Sequence, residues 1–333
     1  MKRSRLALMG ALAACGTDGL TEAQTRLRDA FVDTQEVTVG GLSGDVDLAL
    51  RADVVYGADL YRIVQIDRAT GTVDELLGRA DARQVMEIAA DDAAVYAIVA
   101  SLEGVRQLVR VSKAGGNLAV LYAAPDDQTS LESLVVHDGT AYLVRFAAAG
   151  ELVAIGGDGE LRVRAALPAL ALTSIVAATD GIFYGLADGS LARLPYDGGA
   201  AALVPTGAHR LAYDLASDAT GVYWNASDDG AAPTKPLALY FLATGSATPV
   251  ELAPAVPRAD FAVNDLGFYW SGYPERSVRA LARADVGSGD FAVLPTHNLV
   301  FKLAVDDGAI VYASNDADSD LGDLELHVVP RRR

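Results

Sequence analysis

One phrase repeats along this chain and limits what it can fold into. A short apolar run is followed by an Asp or Gly turn and then an apolar pair ending in tyrosine. It reads ALRADVVY to Tyr56, AADDAAVY to Tyr96, VVHDGTAY to Tyr142 and AATDGIFY to Tyr184, then ASDATGVYW to Tyr223, AVNDLGFYW to Tyr269 and AVDDGAIVY to Tyr312. The spacings are 40, 46, 42, 39, 46 and 43 residues. A fixed period in this range marks stacked supersecondary units and has to be read before any single element. After each tyrosine come two further apolar segments, as in LVRVSKAGGNLAVLY (108–122) and VRALARADVGSGDFAVL (278–294). These segments are short and alternating or β-branched, and Gly-Gly, Asp-Gly and Gly-Ser punctuate them as hairpin turns.

Each unit is therefore strand, turn, Tyr-strand, loop, strand, hairpin, strand. Four antiparallel strands in about 40 to 45 residues make the blade of a β-propeller. The fold class is all-β, a single propeller spanning 31–333 with seven four-stranded blades, or six if the weak first copy is not a blade. The seventh unit shows only three strands, ending at LELHVVP (324–330), while FVDTQEVTVG (31–40) is a spare strand-like segment ahead of the first. Pairing that segment into the last blade would close the ring and remove an exposed edge. The repeat resembles the YWTD- and NHL-type propeller repeats, and the resemblance spans residues 45 to 329. It implies the fold and little about function, because such propellers host unrelated activities.

The N-terminus carries a second signal. Lys2, Arg3 and Arg5 precede an uncharged apolar run from Leu6 to Ala14, and Leu12-Ala13-Ala14-Cys15 follows the pattern of the bacterial lipobox. The charged and apolar regions fit a secretory signal at 1–14, too short to span a bilayer. The resemblance implies that Cys15 is lipidated and becomes the first residue of an exported, envelope-anchored protein. Gly16 in place of Asp favours the outer membrane by analogy with enteric bacteria. Residues 15–30 are expected to be the lipidated cysteine and a flexible tether, with only a weak helical period at 21–31. Cys15 is the only cysteine, so no intramolecular disulfide or Cys-based zinc site can form.

The formal net charge is −17, and loss of the three cations in residues 1–14 takes it to −20. Such a chain repels phosphate backbones, which argues against nucleic acid. Arg331, Arg332 and Arg333 read as a solvated tail. No GxSxG elbow, HExxH, P-loop or dinucleotide fingerprint is present. The leading function is thus a non-enzymatic binding or scaffold module, a monomer whose partners are the membrane, through the lipid, and a protein or glycan. The alternative is a metal-dependent lyase or hydrolase in the central channel, with His209 or His297 at the axis as in the streptogramin lyases.

Candidate site residues are few. Trp224 and Trp270, with Tyr273 close by, would make an aromatic ligand platform if the strand exposes one neighbour of each repeat tyrosine. Asp316, Asp318, Asp320 and Asp323 alternate like ligands of a Ca²⁺ loop, although Gly322 falls at loop position seven and Glu325 at position ten. A solvated acidic connection is the alternative, and a structural Ca²⁺ is the one cofactor this pattern suggests. The loops 225–236, 271–277 and 315–323 differ most between repeats, which is where recognition sits on rigid scaffolds.

Overall fold

The computed structural model describes residues 20–332 except 32–35, 43–45, 79–82, 115–117, 148, 168–171, 187, 207–209, 228–236, 258–260, 272–276, 287–290, 297–299 and 316–323. Seven four-stranded antiparallel sheets follow one another as blades of a ring. Their first strands form the inner circle, each touching the first strand of the next blade, and the last touching the first. The ring closes as the sequence predicts. The N-terminal strand Val37–Leu42 is the outer strand of blade seven and pairs antiparallel with Leu324–Pro330, Val37 opposite Val328 and Leu42 opposite Leu324. Seven blades are present, so the six-bladed alternative falls.

There is no single core. Seven apolar clusters lie one at each seam between neighbouring blades. The second strand of each blade is covered on both faces, which is why it reads as a near-continuous apolar run and not as an alternation. In AVYAIVA of blade two, Val95, Ala97 and Val99 pack towards blade one, while Ala94, Tyr96 and Ile98 pack towards blade three. The repeat tyrosines are all buried.

The tyrosine register nevertheless breaks twice. In blades one, two, three, five and six the tyrosine is the third residue after the first turn and faces the following blade. In blades four and seven it is the fourth. Tyr184 and Tyr312 therefore face the preceding blade, and Phe183 and Val311 fill the third position. A one-residue step in a strand exchanges its two faces.

The expected tether differs from the structure in its second half. Residues Glu22–Asp29 form a helix, started by a capping box in which Thr21 and Gln24 satisfy one another's backbone amides. Its face buries Leu27, and Phe31 just beyond it meets Tyr269 edge-on at 6.2 Å. Those contacts dock the helix over the seam of blades six and seven, because the apolar side chains recur on one helical face. The C-terminal arginines also depart from a free tail. Arg331 bonds both carboxylate oxygens of Asp265, at 2.8 and 2.9 Å, and the Arg332 amide donates to the Ala30 carbonyl.

Candidate functional site

The inner circle gathers polar side chains that the sequence reading did not single out. The first strands of five blades carry a bulge at the same height, in four of them next to Glu87, Ser133, Ser174 and Lys302. A bulge leaves a backbone amide outside the ladder, and a buried amide must find an acceptor. In blades two, three and five the acceptor comes from the preceding blade. Asp47 takes the amide of Ile88 at 2.8 Å, Glu87 that of Leu134 at 2.7 Å, and Ser174 that of Leu215 at 3.0 Å. Lys302 of blade seven completes the join to blade one by pairing with Asp47 at 3.1 Å. The one signal for this ring in the sequence was a polar residue nine or ten positions before each repeat tyrosine.

Glu87 is half-buried against Asp47. Desolvation, reinforced by the Asp47 charge, pushes its carboxyl up to about 7, against the pull of the Leu134 amide and Lys302. The unfolded chain ionises it near 4.5, so between the two values the folded state holds a proton that the unfolded state lacks. Stability must then fall as pH rises through that window. Glu87→Gln keeps the acceptor and removes the charge. We expect the variant to match the parent at pH 4.5 and to exceed it at pH 8 by on the order of 2 kcal/mol in denaturant unfolding. Equal gains at both pH values would contradict this assignment.

The opposite group of contacts lies on the face that carries the first turn of every blade. In blades two, five and six an Asp or Asn three residues before the second strand accepts the turn amides and the tyrosine hydroxyl. Asp91 holds Ala93, Ala94 and Tyr96; Asp218 holds Thr220, Gly221 and Tyr223; Asn264 holds Leu266, Gly267 and Tyr269. Burial and the Asp91 carboxylate both raise the Tyr96 phenol.

A second element reaches each of these turns from the next blade. The residue three positions past the third-strand partner of the second strand's third residue is Arg68, Lys113, Gly157, Tyr196, Thr244, Arg283 and Arg331 in blades one to seven. Arg68 bonds Asp306 at 2.8 Å and Lys113 lies 5.8 Å from the centre of the Tyr56 ring. Tyr196 stacks on His137 at 3.8 Å, and beside Thr244 the Gly245 amide donates to Asp180 at 3.1 Å. Arg283 pairs with Asp218, bonds the Tyr223 hydroxyl at 2.8 Å and covers the rings of Tyr223 and Phe268. Arg331 takes Asp265. At the seam of blades two and three the corresponding residue is Gly157. A cavity of about 520 Å³ opens there over Asp91 and Tyr96.

The residues chosen from sequence fall elsewhere. Trp224 and Trp270 are 0% exposed. They hold the fourth position of their second strands, which faces the preceding blade, so both neighbours of each pair are covered and no aromatic platform is offered. Trp224 packs with Tyr240 and Trp270 with Phe261 and Phe291. Among the described residues neither indole N–H has an acceptor. Cys15, Tyr273, His209, His297 and the four carboxylates Asp316, Asp318, Asp320 and Asp323 lie outside the described residues. No group of three or more His, Cys, Asp or Glu side chains placed to hold a metal occurs among the described ones.

One Ser–His–carboxylate line escaped the sequence reading because its members are far apart along the chain. Ser314 Oγ lies 2.8 Å from His327 Nε2, and His327 Nδ1 lies 2.5 Å from Glu36. The connectivity matches a nucleophile, base and orienting acid. Burial decides against that use: Ser314 is 0% and His327 2% exposed, and Tyr312 stacks on the imidazole at 4.6 Å. The line ties the N-terminal segment into blade seven.

Among solved structures, the chain is similar to the WD40 domain of Pan2 from Neurospora crassa, with 11% identity, 92% of this chain and 98% of that one covered, and a TM-score of 0.59. The WD40 propeller domain of Doa1 gives 12% identity over 89% and 97%, with a TM-score of 0.59. BamB from Moraxella catarrhalis gives 14% over 86% and 85%, with a TM-score of 0.51. No protein-family model matches the sequence, and no curated protein matches it. Likeness at these identities carries the architecture alone. The chain is a seven-bladed, four-stranded β-propeller closed by its N-terminal strand.

Proposed function

We propose that the chain is a non-enzymatic binding module of a bacterial cell envelope, held to the outer membrane by lipid on Cys15. The observation that carries the reading is how the described acid and base groups are spent. Asp47, Glu87 and Lys302 latch inner strands together, Ser314 and His327 are sealed in blade seven, and the arginines of the turn face staple blades. A rigid ring of this kind presents loops and seams for recognition. The lipobox pattern at Leu12–Cys15 supports the anchor, since lipid chains bury methylenes at about 0.8 kcal/mol each. Six residues from Cys15 to the docked Thr21 reach about 20 Å at most. An anchored ring would therefore hold its blade six–seven side close to the bilayer.

Palmitate labelling and fractionation test the anchor, and cross-linking in envelopes tests the binding role. The protein should carry label and sediment with membranes, Cys15→Ala should lose both properties, and a cross-linked envelope protein or glycan should be recovered. An unlabelled wild type, or Cys15→Ala still in the membrane fraction, would overturn the anchor. An envelope without any cross-linked species would overturn the binding role.

A further inference from the structure

We propose that the cavity between blades two and three is a guanidinium-binding site, built to take an arginine side chain from a partner protein. This rests on the binding reading above and names the chemistry of its partner. The ring itself supplies the pattern. Asp91, Asp218 and Asp306 stand at the same place, three residues before the second strand, each holding turn amides on one carboxylate oxygen. The second oxygen of Asp218 faces Arg283, and that of Asp306 faces Arg68, each arginine entering from the next blade. The second oxygen of Asp91 faces Tyr96 at 3.2 Å, and the residue entering from blade three is Gly157.

The space an arginine fills at the other two seams is thus cavity here. Asp91 forms the floor, 9% exposed, with Asp92 and Asp138 at the rim, where their side chains are almost wholly in solvent. Two cations also line the wall, but both are turned to it. Arg51 donates to the Ala90 carbonyl and faces Asp92, and Arg110 lies 5.9 Å from the centre of the Tyr96 ring. Three carboxylates thus stand against two guanidinium groups and the imidazole of His137, which faces Asp138 at 3.5 Å. Arg110 already covers the Tyr96 ring, so recognition falls to the Asp91 carboxylate, whose fork suits a planar guanidinium. A Cβ on Gly157 would meet nothing within 4 Å, and the backbone there is not in the left-handed region. An arginine of the protein's own could therefore be placed in the slot.

The test titrates N-acetyl-L-arginine amide, with its citrulline counterpart as neutral isostere, onto the full-length protein by isothermal calorimetry. Saturable binding of the arginine compound is expected, at least tenfold tighter than the citrulline one. Gly157→Arg should abolish it and raise the melting temperature by a few degrees, because the new side chain would staple the seam. Asp91→Asn should weaken it tenfold or more; if that variant fails to fold, Gly157→Arg alone decides. Equal binding of the two compounds, unaltered binding by folded Gly157→Arg, or no saturable binding would each overturn the proposal. A cross-linked envelope partner that Gly157→Arg still captures would leave the binding module standing and remove this site from it.

Discussion

A chain lacking residues 1–42 is expected to lose its cooperative transition, with unfolding free energy down by at least about 5 kcal/mol, comparable to the whole stability of many domains. The deletion removes the outer strand of blade seven, and with it Leu42, which is fully buried against Leu324 and Leu326. Leu42→Ala alone should cost about 2 to 5 kcal/mol, since a cavity would be left in a packed seam. The deletion also removes Glu36 from His327 and lifts Leu27 and Phe31 from the seam of blades six and seven. It exposes the edge of Leu324–Pro330, a template for strand addition, so the truncated chain should aggregate. Moving residues 20–42 to the C-terminus by circular permutation should restore a single transition, because in the other blades the outer strand follows the third directly. Denaturant unfolding followed by tyrosine and tryptophan fluorescence checks both variants. A truncated chain that unfolds like the parent would show that the strand is decoration.

Trp270→Ala is expected to cost about 3 to 5 kcal/mol, the usual loss for a large aromatic removed from a filled core. Its indole touches Phe261, Phe268 and Phe291, and the cluster joins blades five and six. Trp270→Phe should cost much less, because the indole N–H has no described acceptor to lose and most of the apolar volume remains. The pair separates packing from recognition. A surface platform would show the reverse, with stability unchanged in Trp270→Ala and binding lost. Chemical denaturation of the two variants and the parent gives the comparison.

The architecture was legible because a propeller repeats its constraints. Tyr96, Tyr142 and Tyr223 each mark a turn, a buried strand and a seam, so the count of seven and the missing fourth strand followed from spacing. Other features were not legible. The tyrosine motif carries no record of the one-residue steps at Tyr184 and Tyr312, because Phe183 and Val311 are equally apolar and either face of the strand is buried. For the same reason Trp224 and Trp270 read as half-exposed: alternation was assumed for a strand that has no solvent side. The helix at Glu22–Asp29 left only the weak period at 21–31, because it is short and its docking face is led by two large apolar side chains, Leu27 and Phe31. The staple at Arg68, Arg283 and Arg331, and the gap at Gly157, emerge only when strands are aligned by pairing partner instead of by the nearest tyrosine.

Amide hydrogen exchange across residues 36–42 and 309–315 tests ring closure most directly. If Val37–Leu42 is the fourth strand of blade seven, those of its amides that pair with Leu324–Pro330 should be protected, and they and the amides of Ala309–Asn315 should speed up together in Leu42→Ala. Exchange of residues 36–42 at the rate of an unpaired segment, while 309–315 stays protected, would contradict a propeller closed by its N-terminal strand.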